Sequence, residues 1–272
     1  YQAWNSAYPY LQLAAPQHAI STAPDERRQQ RLPGETLLAS YSLLRACLRP
    51  VPTGKVSLFA AIWERWKQAC GYRDFTDLLT DGLALLPVAP RRPQTILIDE
   101  AQDLTPLQWA IIAQWSHHAR RTIAVGDDDQ ALYKWCGADA TPLLTAPEAN
   151  KTILPHSYRL PRAIYTHSLT YLAKIRTRQP KVWEPRASVG ICRHVGAHWK
   201  HPDTFLTRVL DAASEPWGTC AIITTCGYML APCLAELRNR GLPFGNPWRE
   251  SRRDWNPLMP PQRGIGAVTR AL

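Results

Sequence analysis

Two short runs of β-branched and aliphatic residues, Thr95-Ile96-Leu97-Ile98 and Thr122-Ile123-Ala124-Val125, limit the fold most, because each stops abruptly at acidic residues. The first is followed by Asp99-Glu100, the second by Gly126 and three consecutive aspartates, Asp127 to Asp129. Continuous apolar runs of this length suit strands buried on both faces of a parallel sheet. Between them, Pro106 to Ser116 reads as an amphipathic helix with Thr105 as its N-cap and Pro106 in its first turn. Strand, helix and strand, with acids at both carboxyl ends, is the α/β pattern in which ligands sit at the carboxyl edge of the sheet.

Upstream, residues 1 to about 90 read as mainly helical, with a polar interruption at Thr22 to Arg31 and a Pro/Gly turn at Val51 to Lys55. Apolar residues three and four apart predict helices over Glu35 to Cys47 and Ser57 to Cys70. Asp74 or Thr76 is placed to cap a short helix that ends before the prolines Pro87, Pro90 and Pro93. Downstream, the alternation resumes with an expected strand at Thr152-Ile153-Leu154 and a helix from Pro161 to Lys174. A basic stretch follows, containing Lys174, Arg176, Arg178, Lys181 and Arg186. A further strand is expected at Thr219 to Thr224 and a helix at Met229 to Arg240. The last thirty residues, rich in proline and arginine, are poor in regular structure.

Composition narrows the function. Hydrophobic residues make up 45% and charged residues 20% of the 272, so the chain is not disordered throughout. No apolar stretch approaches the roughly 20 residues of a membrane span, and no export signal is visible, so the expected setting is cytoplasmic with no membrane partner. The 32 basic and 22 acidic residues give a net charge of +10, which favours a polyanionic partner. The seven cysteines are odd in number and form no Cys-x-x-Cys pair, which supports neither a disulfide framework nor a zinc ribbon.

The chemistry is concentrated in Ile96 to Asp103. A strand delivering Asp99-Glu100 at its tip matches what a nucleotide hydrolase needs: one carboxylate to hold Mg²⁺ and the next to orient the attacking water. The plainer reading is an acidic turn that favours the positive start of the following helix. Three further segments weigh against it. Asp99-Glu100-Ala101-Gln102-Asp103 resembles the Walker B box of the UvrD/Rep-type superfamily 1 DNA helicases. Val125 to Ala138 (VGDDDQALYKWCGA) resembles that family's next box, and Leu154-Pro155-His156-Ser157-Tyr158-Arg159 the one after it. Asp74 to Leu79 (DFTDLL) resembles a segment found upstream of the Walker B box. The four occur in family order.

The resemblance implies a fold, cofactors and roles. The implied fold is α/β, a RecA-like (P-loop NTPase) parallel sheet with helices on both faces. Residues 1–90 would form a helical insertion, 91–150 the later part of the first RecA-like domain, and 151–272 a partial second one. The implied cofactors are ATP and Mg²⁺, with Asp99 on the metal and Glu100 on the water. Gln130 would sense the γ-phosphate, and Arg159 would stabilise its developing charge. Tyr158 would stack on the adenine, unless it is a buried core tyrosine. Tyr133 and Trp135 would stack on single-stranded bases, the alternative for Trp135 being a packed core residue. The implied activity is ATP-dependent movement along single-stranded DNA in the 3′ to 5′ direction, with duplex DNA as the substrate unwound. The loading factor and the oligomeric state stay unassigned.

The sequence also departs from the family. It contains no Gly-x-x-x-x-Gly-Lys-Ser/Thr loop; its one Gly-Lys, Gly54-Lys55, is followed by Val56. Cys136 stands where the family usually carries arginine. Val268-Thr269-Arg270-Ala271 looks superficially like the last helicase box but comes too soon after Arg159. The aspartate triplet lacks the spacing of a calcium loop, and Asp128 and Asp129 are expected in solvated or supporting roles. The expectation is therefore a piece of a longer helicase, cut at both ends and inactive alone. The alternative is a nonenzymatic helicase-like module that binds DNA or a partner protein.

Overall fold

The computed structural model describes residues 2–13, 32–194, 196, 198–203, 206–207 and 220–245. The polar interruption at 22–31, Thr219, the proline-rich tail beyond 245 and the segment 268–271 lie outside the described residues. The chain divides into two compact units: residues 1–14 with 31–192, and 15–30 with 193–272. No helix among the described residues is long and apolar enough to cross a membrane.

The first unit begins with a helical body made of α1 (Gln2–Ala7), α2 (Pro33–Ala46), α3 (Lys55–Cys70) and α4 (Phe75–Leu85). Its core is aromatic. Trp4 is fully buried and meets Phe59, Trp63 and Trp66 edge-on at ring distances of 5.8, 4.8 and 5.3 Å. Its indole N–H donates to the Leu11 carbonyl at 2.6 Å, so the one polar atom of the ring is satisfied inside the core. Gly34 lets α2 start against the 9–11 turn, because a Cβ there would stand 2.2 Å from the Leu11 carbonyl oxygen. Asp74 caps α4 by accepting from the Asp77 backbone N–H at 2.8 Å, which settles the choice between Asp74 and Thr76.

Beside this core lies a buried ion network. The Lys67 ammonium, 2% exposed, contacts Glu64 at 3.0 Å, Asp74 at 2.8 Å and Asp77 at 2.5 Å. Arg45 contacts Asp74 at 3.2 Å and Asp77 at 2.6 Å, and the Tyr41 hydroxyl donates to Glu64 at 2.9 Å. The three carboxylates are close enough together for a metal ion, but here two side-chain cations compensate them. Burial opposes charge on Asp74 and Asp77, yet hydrogen bonds from Lys67 and the adjacent backbone outweigh it and hold both below the ordinary carboxylate value. Burial likewise opposes charge on Lys67, and its three carboxylate partners outweigh that and raise it above the ordinary lysine value. Burial, reinforced by the bond to Glu64, pushes the Tyr41 hydroxyl up to about 12.

Next comes the α/β part. β1 (Thr95–Ile98) and β2 (Arg121–Ala124) pair in parallel, with Ile98 opposite Ala124, and α5 (Pro106–Ser116) connects them. Thr105 caps α5, and Leu107 and Ile111, one turn apart, are its buried residues. Gln114 and Trp115 on α5 donate to the Leu83 and Leu86 carbonyls at the end of α4, tying the sheet connection to the helical body. After a short helix α6 (Thr141–Thr145), β3 (His156–Pro161) and β4 (Glu184–Arg186) form a second parallel pair around α7 (Arg162–Leu172). The described part of the second unit is built on α8 (Leu230–Asn239), which buries Cys233, Leu234 and Leu237.

Three expectations are corrected. The strands were expected to be buried on both faces, but Leu97 is 73% exposed and Val125 51%, because each sheet has only two strands among the described residues. Residues 152–154 form no strand; the strand begins at His156 and carries the Tyr-Arg pair itself. Residues 220–224 form no strand either. The architecture is mixed helix and strand with small parallel sheets, which is compatible with the expected class without amounting to a complete RecA-like sheet.

The ion network makes a stability prediction. Replacing Lys67 with Met should cost about 3–5 kcal/mol in urea unfolding, because it strands buried carboxylates. Carboxylates with depressed values stabilise the fold above 3.8 and lose that contribution as pH falls through their lowered values, so the wild type should weaken on acidification below 3.8. The variant should show a smaller acid loss. A cost near zero would mean the network does not hold the helical body.

Candidate functional site

The parallel register sends the carboxyl ends of β1 and β2 to one edge, and backbone bonds continue past both strands. Val125 donates to the Ile98 carbonyl at 2.8 Å, and Ala101 to the Val125 carbonyl at 2.9 Å. The chain therefore turns sharply at Asp99-Glu100. Glu100 adopts the left-handed conformation at φ 50°, which is costly for a residue with a side chain and needs local support. That support is visible: its N–H donates to Asp99 Oδ1 at 3.0 Å, and its Oε2 accepts from Gln102 Nε2 at 2.8 Å.

Gln102 joins the two strand ends. It is 1% exposed, and while its amide nitrogen holds Glu100, its Oε1 accepts from the Asp127 backbone N–H at 3.0 Å. Gly126 makes room for it, since a Cβ there would stand 2.6 Å from Gln102 Oε1. Beyond Gly126, residues Asp128–Gln130 form a single 3₁₀ turn, and Gln130 Nε2 donates to Asp127 Oδ2 at 2.7 Å. Asp99, Glu100 and Gln130 are all exposed and belong to one hydrogen-bonded edge.

Among the described residues, no side-chain hydrogen bond joins the other expected site residues to that edge. Tyr133 is 48% and Trp135 77% exposed, Trp135 in a one-turn 3₁₀ helix (Lys134–Cys136) and Tyr133 at its start, so the core alternative for Trp135 does not hold. Tyr158, 88% exposed, and Arg159, also exposed, lie on β3, and the core alternative for Tyr158 fails too. Among the described residues, no hydrogen bond or ion pair joins Tyr158 or Arg159 to Asp99, Glu100 or Gln130. Cys136 is exposed, its thiol directed at the Tyr133 carbonyl at 3.1 Å.

The donor set suits a hard divalent cation. Asp99 and Glu100 offer exposed carboxylate oxygens, the hard donors such a cation takes. Oxygen-only ligation of this kind fits Mg²⁺ rather than a thiophilic metal. The phosphates of a nucleotide would find no glycine-rich lysine loop in these 272 residues.

Sequence reading missed Gln102 and the partners of the aspartate triplet. Asp128 and Asp129, expected to be solvated or supporting, are 8% and 6% exposed and ion-paired with Lys181 and Arg178. The available signal was a pair of cations three residues apart in a basic stretch, facing three acids about fifty residues earlier.

This geometry coincides with a recognisable segment. Residues 49–151 match the model of the UvrD/REP helicase N-terminal domain, so this part of the chain is similar to UvrD/Rep-type helicases. The chain is 30% identical over 119 aligned positions to the ATP-dependent DNA helicase PcrA of Bacillus subtilis (strain 168), covering 40% of this chain and 16% of that protein. The PcrA helicases of Staphylococcus aureus (strain Mu50) and Staphylococcus epidermidis are 29% identical over the same length, with the same coverage. The chain thus spans about one sixth of the length of these relatives. Tyr158 and Arg159 lie beyond the residues matched by the family model.

The Gln102 bridge is directly testable. Gly126→Ala should force Gln102 off Asp127 and cost about 1–3 kcal/mol, the usual penalty for leaving buried polar groups unsatisfied. Amide hydrogen exchange at Asp127 should accelerate while exchange in α3 stays unchanged. Wild-type exchange at Asp127 in the variant would remove Gln102 from the site.

Proposed function

We propose that the chain is part of an ATP-dependent DNA helicase or translocase of UvrD/Rep type, moving 3′ to 5′ on single-stranded DNA and opening duplex ahead of it. In this reading residues 1–90 are the helical insertion, 91–150 the later part of a first RecA-like domain and 151–272 the start of a second. The observation that carries the proposal is the shared edge, on which Gln102 ties Glu100 to the loop bearing Gln130.

Each residue has a task that follows from its chemistry. Asp99 would hold Mg²⁺ through its exposed carboxylate, and the bound ion would neutralise charge on the phosphates. Glu100, with one oxygen fixed by Gln102, presents the other to orient a water for in-line attack. Gln130 offers its amide to the terminal phosphate, a contact that competes with its bond to Asp127. Arg159 would bring a guanidinium to the developing charge, and Tyr158 a ring to the adenine. Tyr133 and Trp135 expose aromatic faces on which any base stacks, which suits movement along DNA without regard to sequence. The excess of ten positive charges supports a phosphate backbone as partner.

The second reading, a nonenzymatic DNA-binding or partner-binding module, rests on the basic excess and the exposed Trp135. Both readings expect this 272-residue chain to have negligible ATPase. DNA-stimulated turnover that disappears in Glu100→Gln would contradict that expectation. For DNA binding, Trp135→Ala should weaken oligo(dT) affinity by the roughly 1–3 kcal/mol of one stacked base, read from a fluorescence titration. Unchanged affinity would overturn the stacking role.

A further inference from the structure

Three adjacent aspartates repel one another and would splay apart in water, yet here they form a tight turn. The reason lies about fifty residues further on, in the segment between α7 and β4. The Lys181 ammonium reaches all three carboxylates: Asp127 Oδ1 at 2.6 Å, Asp128 Oδ1 in a short contact, and Asp129 Oδ2 at 3.1 Å. Arg178 forks onto Asp129, with Nε to Oδ1 and Nη2 to Oδ2 both at 2.7 Å. The Gln179 backbone N–H completes the set by donating to Asp128 Oδ2 at 2.7 Å. Paired, largely desolvated charges with a bidentate fork hold geometry far better than a solvated surface pair.

One carboxylate connects this cluster to the candidate site. Asp127 accepts from Lys181 on Oδ1 and from Gln130 on Oδ2, so the group that orients the Gln130 amide is itself oriented by Lys181. The electrostatics agree. Burial opposes charge on Lys181, and hydrogen bonds to the three aspartates outweigh it and raise its pKa; burial opposes charge on Asp127, and its bonds to Lys181 and Gln130 outweigh that and lower its pKa.

We propose that Arg178 and Lys181 are positioning residues, a clamp that fixes the Asp127–Gln130 turn to the β3–α7–β4 segment and so couples the strand bearing Tyr158 and Arg159 to the loop that aims Gln130. This rests on the reading of Gln130 as the nucleotide sensor and extends it. Any shift of the β3–α7–β4 segment must either carry the turn with it or break the clamp. The Tyr133 and Trp135 turn follows Gln130 directly, so the same shift reaches the stacking aromatics.

The test is a charge swap in the whole chain. Arg178→Asp and Asp129→Arg each break the fork, and the double variant restores it with the charges exchanged. Amide exchange at Asp129 and Gln130 should accelerate about tenfold in each single variant and return towards wild type in the double, with α2 and α3 unchanged as a control for folding. Lys181→Met should reproduce the acceleration, and Lys181→Arg should retain protection. Oligo(dT) affinity adds a readout that simple charge cannot mimic. Arg178→Asp lowers and Asp129→Arg raises the net charge, yet the clamp predicts weaker binding in both and recovery in the swap. If Asp129→Arg strengthens binding, or the swap fails to restore slow exchange in a chain whose α2 and α3 remain protected, the clamp is wrong. If the wild type does not bind oligo(dT) while the exchange pattern holds, the DNA reading falls and the clamp stands.

Discussion

The candidate site depends on the way two short parallel strands continue to bond after they end. Val125 donating to Ile98 and Ala101 donating to Val125 bring two acidic turns within reach of a single glutamine. Neither turn would hold this shape alone: Glu100 sits in a left-handed conformation, and Asp127 to Asp129 carry three like charges. Gln102 compensates the first and supports the second, and Lys181 and Arg178 complete the second. Strain at the first turn is met by Gln102 two residues away, and charge at the second by partners about fifty residues further on.

The helical body uses the same device for a different end. Lys67 and Arg45 bind three carboxylates tightly enough to keep a charged cluster beside an aromatic core. There the cations are supplied by neighbouring helices and leave no carboxylate presented to solvent as freely as Asp99. The two acidic clusters differ in what meets them: side-chain cations close the first, whereas the Asp99-Glu100 pair faces outward.

Much of the local structure was legible in the sequence because it depends on neighbours in the chain. Thr95–Ile98 and Pro106–Ser116 fall where apolar runs and the Thr105-Pro106 start place them, and Asp74 caps its helix. Legibility failed where pairing rather than pattern decides. The strand His156–Pro161 is polar and irregularly paired, so no alternation announces it, while the apolar Thr152–Leu154 has no partner strand among the described residues. Burial was overestimated for Leu97, because a continuous apolar strand reveals its preference and not how many strands cover it. Of the site, the acids, Gln130 and the aromatics were visible as motifs. The roles of Gln102, Arg178 and Lys181 were not, since each acts across 25 to 54 residues and only the fold brings the partners together.

Gln102 joins the Asp99-Glu100 turn and the Asp127–Gln130 turn into one edge, so a divalent cation bound at one turn should be felt at both. Titration of the isotope-labelled chain with paramagnetic Mn²⁺ as a stand-in for Mg²⁺ tests it most directly. Amide resonances of Asp99 to Gln102 and of Asp127 to Gln130 should broaden together at the same metal concentration, and both effects should vanish in Asp99→Asn. Broadening confined to one turn, or centred on Glu64, Asp74 and Asp77 while the sheet edge stays sharp, would contradict the account.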